Sequence, residues 1–245
     1  GKYSGVGKYN SPIEFLKAVK DSGIGLVSLA HNHVLDYGTQ GLETTISKIK
    51  EQNIEITGIK ENSERTNEQD ENTLDEEKQE NPDFTGNIKE INGIKVAFLG
   101  YTYGLSNENE VNEEEKKKAN IYSEELAKKD IEYAKQSSNY IITIMHWGDV
   151  NSSEISEYQR NITSFLVENG VDMILGAHPS VVEPMEMIKT EEGKNVLVAY
   201  SLGNYMSTLK YDDANVELIL NIQISKSSDS DKAVLQKVDY KPIYV

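Results

Sequence analysis

The sequence predicts an α/β fold on a mainly parallel sheet, and three observations lead there. Segments with helical periodicity alternate with short apolar runs, the pattern of parallel strands joined by helices. Each of the apolar runs that ends in a histidine turn is short enough to be one buried strand. The chain has 245 residues, enough for one sizeable core, so a single domain over residues 1–245 is expected.

The elements follow in order. Ser11-Pro12-Ile13-Glu14 reads as a helix start, with Ser11 as cap, Pro12 in the first turn and Glu14 three residues after the cap. That helix is expected to end near Gly23 and to be followed by a buried strand from Leu26 to Ala30. A second helix is predicted over about Thr39 to Asn53, with Leu42, Ile46 and Ile49 on one face, and a strand at Ile54 to Thr57. From Lys60 to Asp83 there are ten acidic and three basic residues and few large apolar ones, the composition of a solvated surface excursion. The run Asn107 to Lys118, within a second expected excursion over 105–120, reads the same way.

Ile94 to Gly100, Tyr140 to Met145, Val171 to Leu175 and Val196 to Ser201 are expected to be buried strands. Ser123 to Ser137 and Ser153 to Asn169 are expected to be helices, the second closed by Gly170. Val216 to Ile224 alternates with period two, as a half-exposed antiparallel strand does, and the tail to Val245 has room for one more.

Composition narrows the function. The chain is 37% hydrophobic and 27% charged, ordinary for a globular protein, but its net charge is −16. That excess argues against nucleic acid as a partner, because phosphates are bound largely through Lys and Arg. It also argues against general attraction to an anionic surface, leaving a metal or a local pocket as the means of holding an anion. With no cysteine, there are no disulfides, thiolate metal sites or cysteine nucleophiles. No apolar run in these residues reaches the length of a membrane span or has the form of a signal peptide. The chain begins at Gly1 instead of Met, so a segment upstream is expected.

The four histidines carry the chemistry. His31 and His33 follow LVSLA, His146 follows IITIM, and His178 follows MILGA. Two further polar turns take the same position, Tyr101-Thr102-Tyr103-Gly104 after VAFLG and Gly203-Asn204 after VAYSL. In open parallel sheets ligands bind at the carboxyl ends of the strands. A lone histidine there is more often a hydrogen-bonded cap, but all four at strand ends point to one shared metal or catalytic site. Imidazole suits zinc, iron, nickel and copper, and Asn or carboxylate oxygens extend the range to manganese. There is no G-x-S-x-G elbow and no phosphate-cradling loop.

Five ordered blocks then carry a family resemblance. Ser28-Leu-Ala-His-Asn-His-Val-Leu-Asp-Tyr-Gly38 with Gly41-Leu42, Phe98-Leu-Gly-Tyr-Thr-Tyr-Gly104, and His146-Trp-Gly148 with Gln159 downstream are the first three. Asn169-Gly-Val-Asp-Met-Ile-Leu-Gly-Ala-His-Pro179 and Tyr200-Ser-Leu-Gly-Asn204 complete the set. Together they resemble the poly-γ-glutamate capsule-synthesis (CapA, PGA_cap) family over roughly residues 8 to 60 and 90 to 205. The resemblance implies a metallophosphoesterase-like, four-layer αββα sandwich, in which paired divalent metals (Mn, Zn or Fe) activate water and clamp a phosphoryl oxygen.

Carried over by motif, Asn32, His146 and His178 would be metal ligands and His33, with His31 beside it, the catalytic histidine. Asp36, Trp147, Asp149, Ser180 and Asn204 would line or support the substrate site, Asp36 by orienting His33 and Trp147 either as part of the wall or as core packing behind it. The expected partners are an anionic polymer or phosphorylated substrate and membrane-bound polymer synthase subunits. The expected location is the cell surface, outside the cytoplasm, with an anchor in a segment absent from this chain.

Four departures from the family pattern bear on the site. The Gly-Asp and Asn-Leu-Glu motifs of the first strands do not occur before residue 8, so the N-terminal strands and their carboxylates are expected to be missing. Ser180 stands at the second histidine of the family's HPH, and His31 at the first asparagine of its NNH. Asp149 lies one position before the family's usual glutamate. From these departures at most one weakly held metal is expected. Three readings remain: a capsule-polymer biosynthesis protein, a metal-dependent phosphoesterase or related hydrolase, and a surface scaffold that has kept the fold and lost the site.

Overall fold

Four strands buried on both faces give the molecule its frame. The computed structural model describes residues 3–5, 7–60, 81, 83–205 and 214–244. The elements are α1 (Ile13–Asp21), β1 (Leu26–Ser28), α2 (Gly38–Glu51), β2 (Glu55–Thr57), β3 (Asn87–Ile91), β4 (Ile94–Thr102), α3 (Glu113–Lys116) and α4 (Glu124–Ser137). They continue with β5 (Tyr140–His146), α5 (Glu157–Glu168), β6 (Met173–Ala177), β7 (Met185–Lys189), β8 (Asn195–Ala199), β9 (Val216–Lys226) and β10 (Ala233–Tyr244).

The main sheet has six strands in the order β3-β4-β5-β6-β8-β7. Its four central strands are parallel, and β3 and β7 close the two edges in antiparallel pairing. Alternate residues of the central strands serve two cores, which is why the strands read as continuous apolar runs. Ala97, Leu99, Tyr101, Ile141, Met145, Ile174, Val196 and Val198 meet Ala127, Ile131 and Ala134 of α4 and Ile162 and Leu166 of α5. On the opposite face Val96, Ile142, Met173 and Leu197 meet Leu220, Ile222 and Ile224 of β9 and Leu235 and Val238 of β10. The antiparallel β9–β10 hairpin is therefore a second β layer over the sheet.

The parallel pair β1–β2 is covered by α1 and α2 through Leu16, Val19, Leu42, Ile46 and Ile49. It approaches β4 where β4 has no side chain. A Cβ at Gly100 would lie 2.8 Å from the Gly58 Cα and from the Ser28 hydroxyl oxygen. The Thr57 hydroxyl donates to the Phe98 carbonyl at 2.7 Å and holds the approach. Helix, sheet, sheet and helix thus follow one another, as in the expected four-layer sandwich.

Several boundaries differ from the sequence expectation for local reasons. Pro12, not Ser11, takes the cap position of α1, in extended backbone and with no side-chain cap. The first turn begins only with the Phe15 N–H bond to the Pro12 carbonyl. The helix expected from Ser153 starts at Glu157, because Ser156 and Gln159 form a capping box that defines its first turn. The edge strands β3 and β7, which the sequence reading did not anticipate, are short and half-exposed, so their apolar signal is weak. Of the stretch Lys60 to Asp83, residues 61–80 and 82 lie outside the described residues.

The acidic run 107–118 differs more. Its charged side chains are largely exposed, yet Leu105, Val111 and Ala119 are buried in the α1–α2 core and fasten the segment to the fold. Asn112 and Glu115 cap its short helix α3 in a capping box. Three apolar anchors spaced through a charged run are enough to dock it. Among the described residues no helix is long and apolar enough to cross a membrane.

Gly176 in β6 is the tightest glycine. A Cβ there would lie 1.8 Å from the Tyr200 carbonyl oxygen and 2.5 Å from the Trp147 indole nitrogen. Gly176→Ala is expected to destabilise by about 3 kcal/mol or more, by the cost of overpacking backbone in a core. Gly104→Ala, with open space around its Cβ, is expected to stay within about 1 kcal/mol of the parent. Urea denaturation midpoints measure both, and equal midpoints would contradict the packing described.

Candidate active site at the carboxyl edge of the sheet

Strand register brings the histidines together. Parallel pairing sets His146 opposite Thr102 of β4 and Ala177 of β6. The next residues, Tyr103 and His178, therefore stand on either side of it. Backbone bonds carry the alignment past the strand ends: Tyr103 N–H donates to the His146 carbonyl at 2.9 Å, and Trp147 N–H to the Ala177 carbonyl at 3.0 Å. His178 has φ 107° and Ser180 φ 65°, left-handed conformations that turn the chain sharply at the end of β6.

β1 delivers the remaining histidines from the second layer. The His31 and His146 rings lie 4.0 Å apart between centroids, His146 and His178 4.6 Å, and His31 and His33 5.6 Å. All four predicted histidines thus form one group. Asn32 is buried among them, and its Oδ1 accepts from His146 Nε2 at 2.9 Å. Its Nδ2 donates to the Ser106 hydroxyl at 2.5 Å.

His33 is held from its far side. Its Nδ1 is 3.0 Å from both carboxylate oxygens of Asp36, which also accepts the Tyr9 N–H at 2.8 Å. Asp36 is buried and fully engaged, so it orients His33 and has no face for substrate. The other nitrogen, Nε2, is 3.3 Å from the Ser106 hydroxyl. Ser106, His33 and Asp36 form a hydrogen-bonded chain able to move a proton between the exposed rim and a buried carboxylate.

The remaining site candidates separate. Trp147 is completely buried, donates its indole N–H to the Tyr200 carbonyl at 2.9 Å and stacks on the Tyr200 ring. It packs the core behind the site and does not form its wall. Ser180 Oγ donates to the His178 carbonyl at 3.2 Å and so closes the turn. Asp149 is exposed beside the cluster, near enough to act electrostatically on His178. Asn204 is half-buried at the end of the β8 turn.

Sequence reasoning did not single out Tyr9 or Ser106, and it placed Tyr103 only in a polar turn. Tyr9 sets its ring edge-on to His33 at 4.6 Å, and Tyr103 lies over His178 at 4.8 Å. Both tyrosines are exposed at the rim. The VAFLG-YTYG pattern pointed to the Tyr103 turn, whereas Tyr9 and Ser106 arrive from irregular segments with no local signal.

Burial favours the neutral form of three of the imidazoles, His31, His146 and His178. Loss of hydration, reinforced by His31, His178 and His33, lowers His146 to about 2. The same causes, desolvation first and then His33 and His178, lower His31 to about 4 even though one edge of it meets solvent. His178 is lowered by burial and by His33, with Asp149 opposing.

Neutral imidazoles suit metal ligation, but the donor set does not make a two-metal centre. The two implied ligands His146 and Asn32 are bonded to each other, and both oxygens of Asp36 are taken. Among the described residues no carboxylate stands between the rings to bridge two cations. Among the described residues no three His, Asp or Glu side chains are arranged to hold a metal ion.

The two-layered sheet, with its polar residues gathered at one strand edge, has a metallophosphoesterase-like fold shared with solved nucleotidase structures. Among solved structures, NAD nucleotidase (NadN) of Haemophilus influenzae has a similar fold, with a TM-score of 0.52 at 15% identity. The match covers 95% of this chain and 42% of that one. The chain itself belongs to the bacterial capsule synthesis protein family PGA_cap, whose profile matches residues 1–209. It is 26% identical over 193 residues to the PGA biosynthesis protein CapA of Bacillus subtilis (strain 168), covering 79% of this chain and 45% of the relative. It is 28% identical over 198 residues to the capsule biosynthesis protein CapA of Bacillus anthracis, covering 79% and 42%. The chain therefore spans less than half the length of these curated relatives.

The histidine cluster makes the fold acid-sensitive. An imidazole held below its ordinary 6.5 stabilises fully above that pH, and less as pH falls through 6.5 toward its folded value, about 2 for His146. In chelator-treated protein, the melting temperature is expected to drop more steeply from pH 6.5 to pH 4.5 in the parent than in His146→Gln. Identical slopes would show that His146 is hydrated and charges freely in the folded chain.

Proposed function

We propose that this chain is the metallophosphoesterase-like part of a capsule biosynthesis protein that acts at the cell surface. Its role is in making, exporting or anchoring an anionic polymer of the poly-γ-glutamate type. The observation that carries this reading is the PGA_cap family match over residues 1–209, supported by the two CapA relatives. The histidine-lined edge is where the polymer, or a phosphorylated precursor of it, would be handled. With His31, His146 and His178 held toward neutrality and the chain at −16, recognition of an anion needs a cation or a short-range contact at that edge. Membrane-bound polymer synthase subunits are the proposed partners.

A second reading, a metal-dependent phosphoesterase, is favoured by one feature. The hydrogen-bonded chain from Ser106 through His33 to Asp36 ends at the rim, as a group that protonates a leaving oxygen must. The metal in this reading is Mn, Zn or Fe, at most one per chain and weakly held. A scaffold without catalysis is the third reading, supported by Ser180 and by the mutual bonding of Asn32 and His146.

One set of strains separates the three. Deletion of the gene is expected to abolish surface polymer, and unchanged polymer overturns the capsule role. A strain carrying the His33, His146 and His178 triple-alanine variant is expected to lose the polymer if the edge is catalytic and to keep it if the chain is a scaffold. For the purified chain, hydrolysis of p-nitrophenyl phosphate that depends on added Mn and falls at least about 100-fold in His146→Ala supports the phosphoesterase reading. Activity equal in the two proteins rejects it.

A further inference from the structure

Beneath the histidine edge lies a buried carboxyl group that none of the readings above uses. Glu183 follows the His178-Pro179-Ser180 turn and is 2% exposed. Its backbone N–H donates to the Ser201 carbonyl at 3.1 Å, and the neighbouring Val182 bridges Leu202. The segment is thereby tied to the end of β8. Its Oε2 accepts from Gln159 Nε2 at 2.7 Å, while its Oε1 has no hydrogen-bond partner among the described residues.

Gln159 is fully buried and is the third residue of the α5 capping box. Its Oε1 accepts from the Ser156 backbone N–H at 2.8 Å and from the Ser156 hydroxyl at 3.0 Å. Its amide is pressed against the turn that carries His146. Gly148 has φ 90°, and a Cβ there would lie 2.7 Å from Gln159 Nε2 and 3.0 Å from Pro179 Cγ. One amide thus touches the turn after β5 where it meets the turn after β6, and Glu183 holds that amide from below.

We propose that Glu183 is a positioning residue that couples the turns carrying His146 and His178 through Gln159, and that the coupling changes with the charge on its carboxyl group. The bond to Gln159 is charge-assisted and tight when Glu183 is ionised, and weaker when it is protonated. An ionised carboxyl here leaves one buried oxygen unsolvated, which favours the proton. Burial accordingly raises Glu183 to about 7, with Gln159 opposing and Asp149 adding. Among the described residues Asp149, from the turn after β5, is the charged group acting on it; α5 contributes the neutral Gln159 amide and the end of β8 the Ser201 carbonyl.

The balance between closely and loosely held turns therefore shifts near neutral pH. A folded value above the ordinary 4.5 also means stability that is fully present below 4.5 and is lost as pH rises to about 7. This inference concerns the geometry of the edge and holds whichever substrate the edge takes.

The test is an NMR titration of the purified chain. The Gln159 side-chain amide and the Gly148 and Ser180 backbone amides are expected to shift together with one midpoint near 7, and Glu183→Gln is expected to remove that step. The variant's melting temperature is expected to match the parent's near pH 5 and to exceed it by several degrees at pH 8. If the variant does not fold, the side-chain carboxyl ¹³C shift of Glu183 in the parent decides, because a midpoint near its ordinary 4.5 overturns the proposal. Turn amides that do not follow Glu183, or that keep the step in Glu183→Gln, overturn it as well. A residue that merely fills space would leave the turn amides without a shared midpoint.

Discussion

The common register of β4, β5 and β6 is the constraint on which the rest of the site depends. Because Thr102, His146 and Ala177 lie side by side, the first residues beyond the strands emerge together. Tyr103, His146 and His178 need no long loop to meet, only the ends of hydrogen-bonded strands buried on both faces. A slip of one residue would reverse every side chain and send His146 to the opposite layer. The close passage of Tyr200 over Gly176, with the Trp147 indole on the Tyr200 carbonyl, locks β6 against β8 behind that edge. Core packing and site geometry are here the same contacts.

The electrostatics follow from that crowding. Burial and mutual crowding favour the neutral form of His31, His146 and His178. His33 differs because Asp36 stands on its Nδ1 and Ser106 on its Nε2, giving it a defined tautomer and a route to solvent. The segment that brings Ser106 is stitched to the β1 turn by the Ser106 N–H on the Asn32 carbonyl and by the Asn107 amide on the Leu35 carbonyl, both at 2.8 Å. An acidic surface run is thus fastened beside the histidines of a chain that carries −16. An anion reaching this edge must be drawn by a bound cation or by direct hydrogen bonds, since the long-range field opposes it.

Much of this was legible in the sequence, and particular residues show why. VAFLG, IITIM, MILGA and VAYSL each gave a strand and a direction, because a run buried on both faces carries its own signal, and LVSLA gave the shorter, half-buried β1. Each histidine then marked a strand end. The half-exposed β3 and β7 gave no comparable pattern, and the α1 cap was misplaced because Ser11-Pro12 fits either side of the helix boundary. The run 107–118 looked like a solvated excursion, since the net charge of a window does not reveal that Val111 within it, with Leu105 and Ala119 at its ends, anchors it. Trp147 could have been wall or core, and only the direction of its indole N–H decided.

By itself the sequence determined the α/β class, the family blocks and the set of residues that gather at one edge. Those properties are local: periodicity, strand length and the residue type that follows each strand. Tertiary structure alone decided which of those residues touch. It paired Asn32 with His146, brought in Tyr9 and Ser106 from irregular segments, and placed Glu183 beneath the turns on the Gln159 amide. These contacts join residues distant in the chain, and their distances are set by how the layers pack, which no spacing along the sequence records.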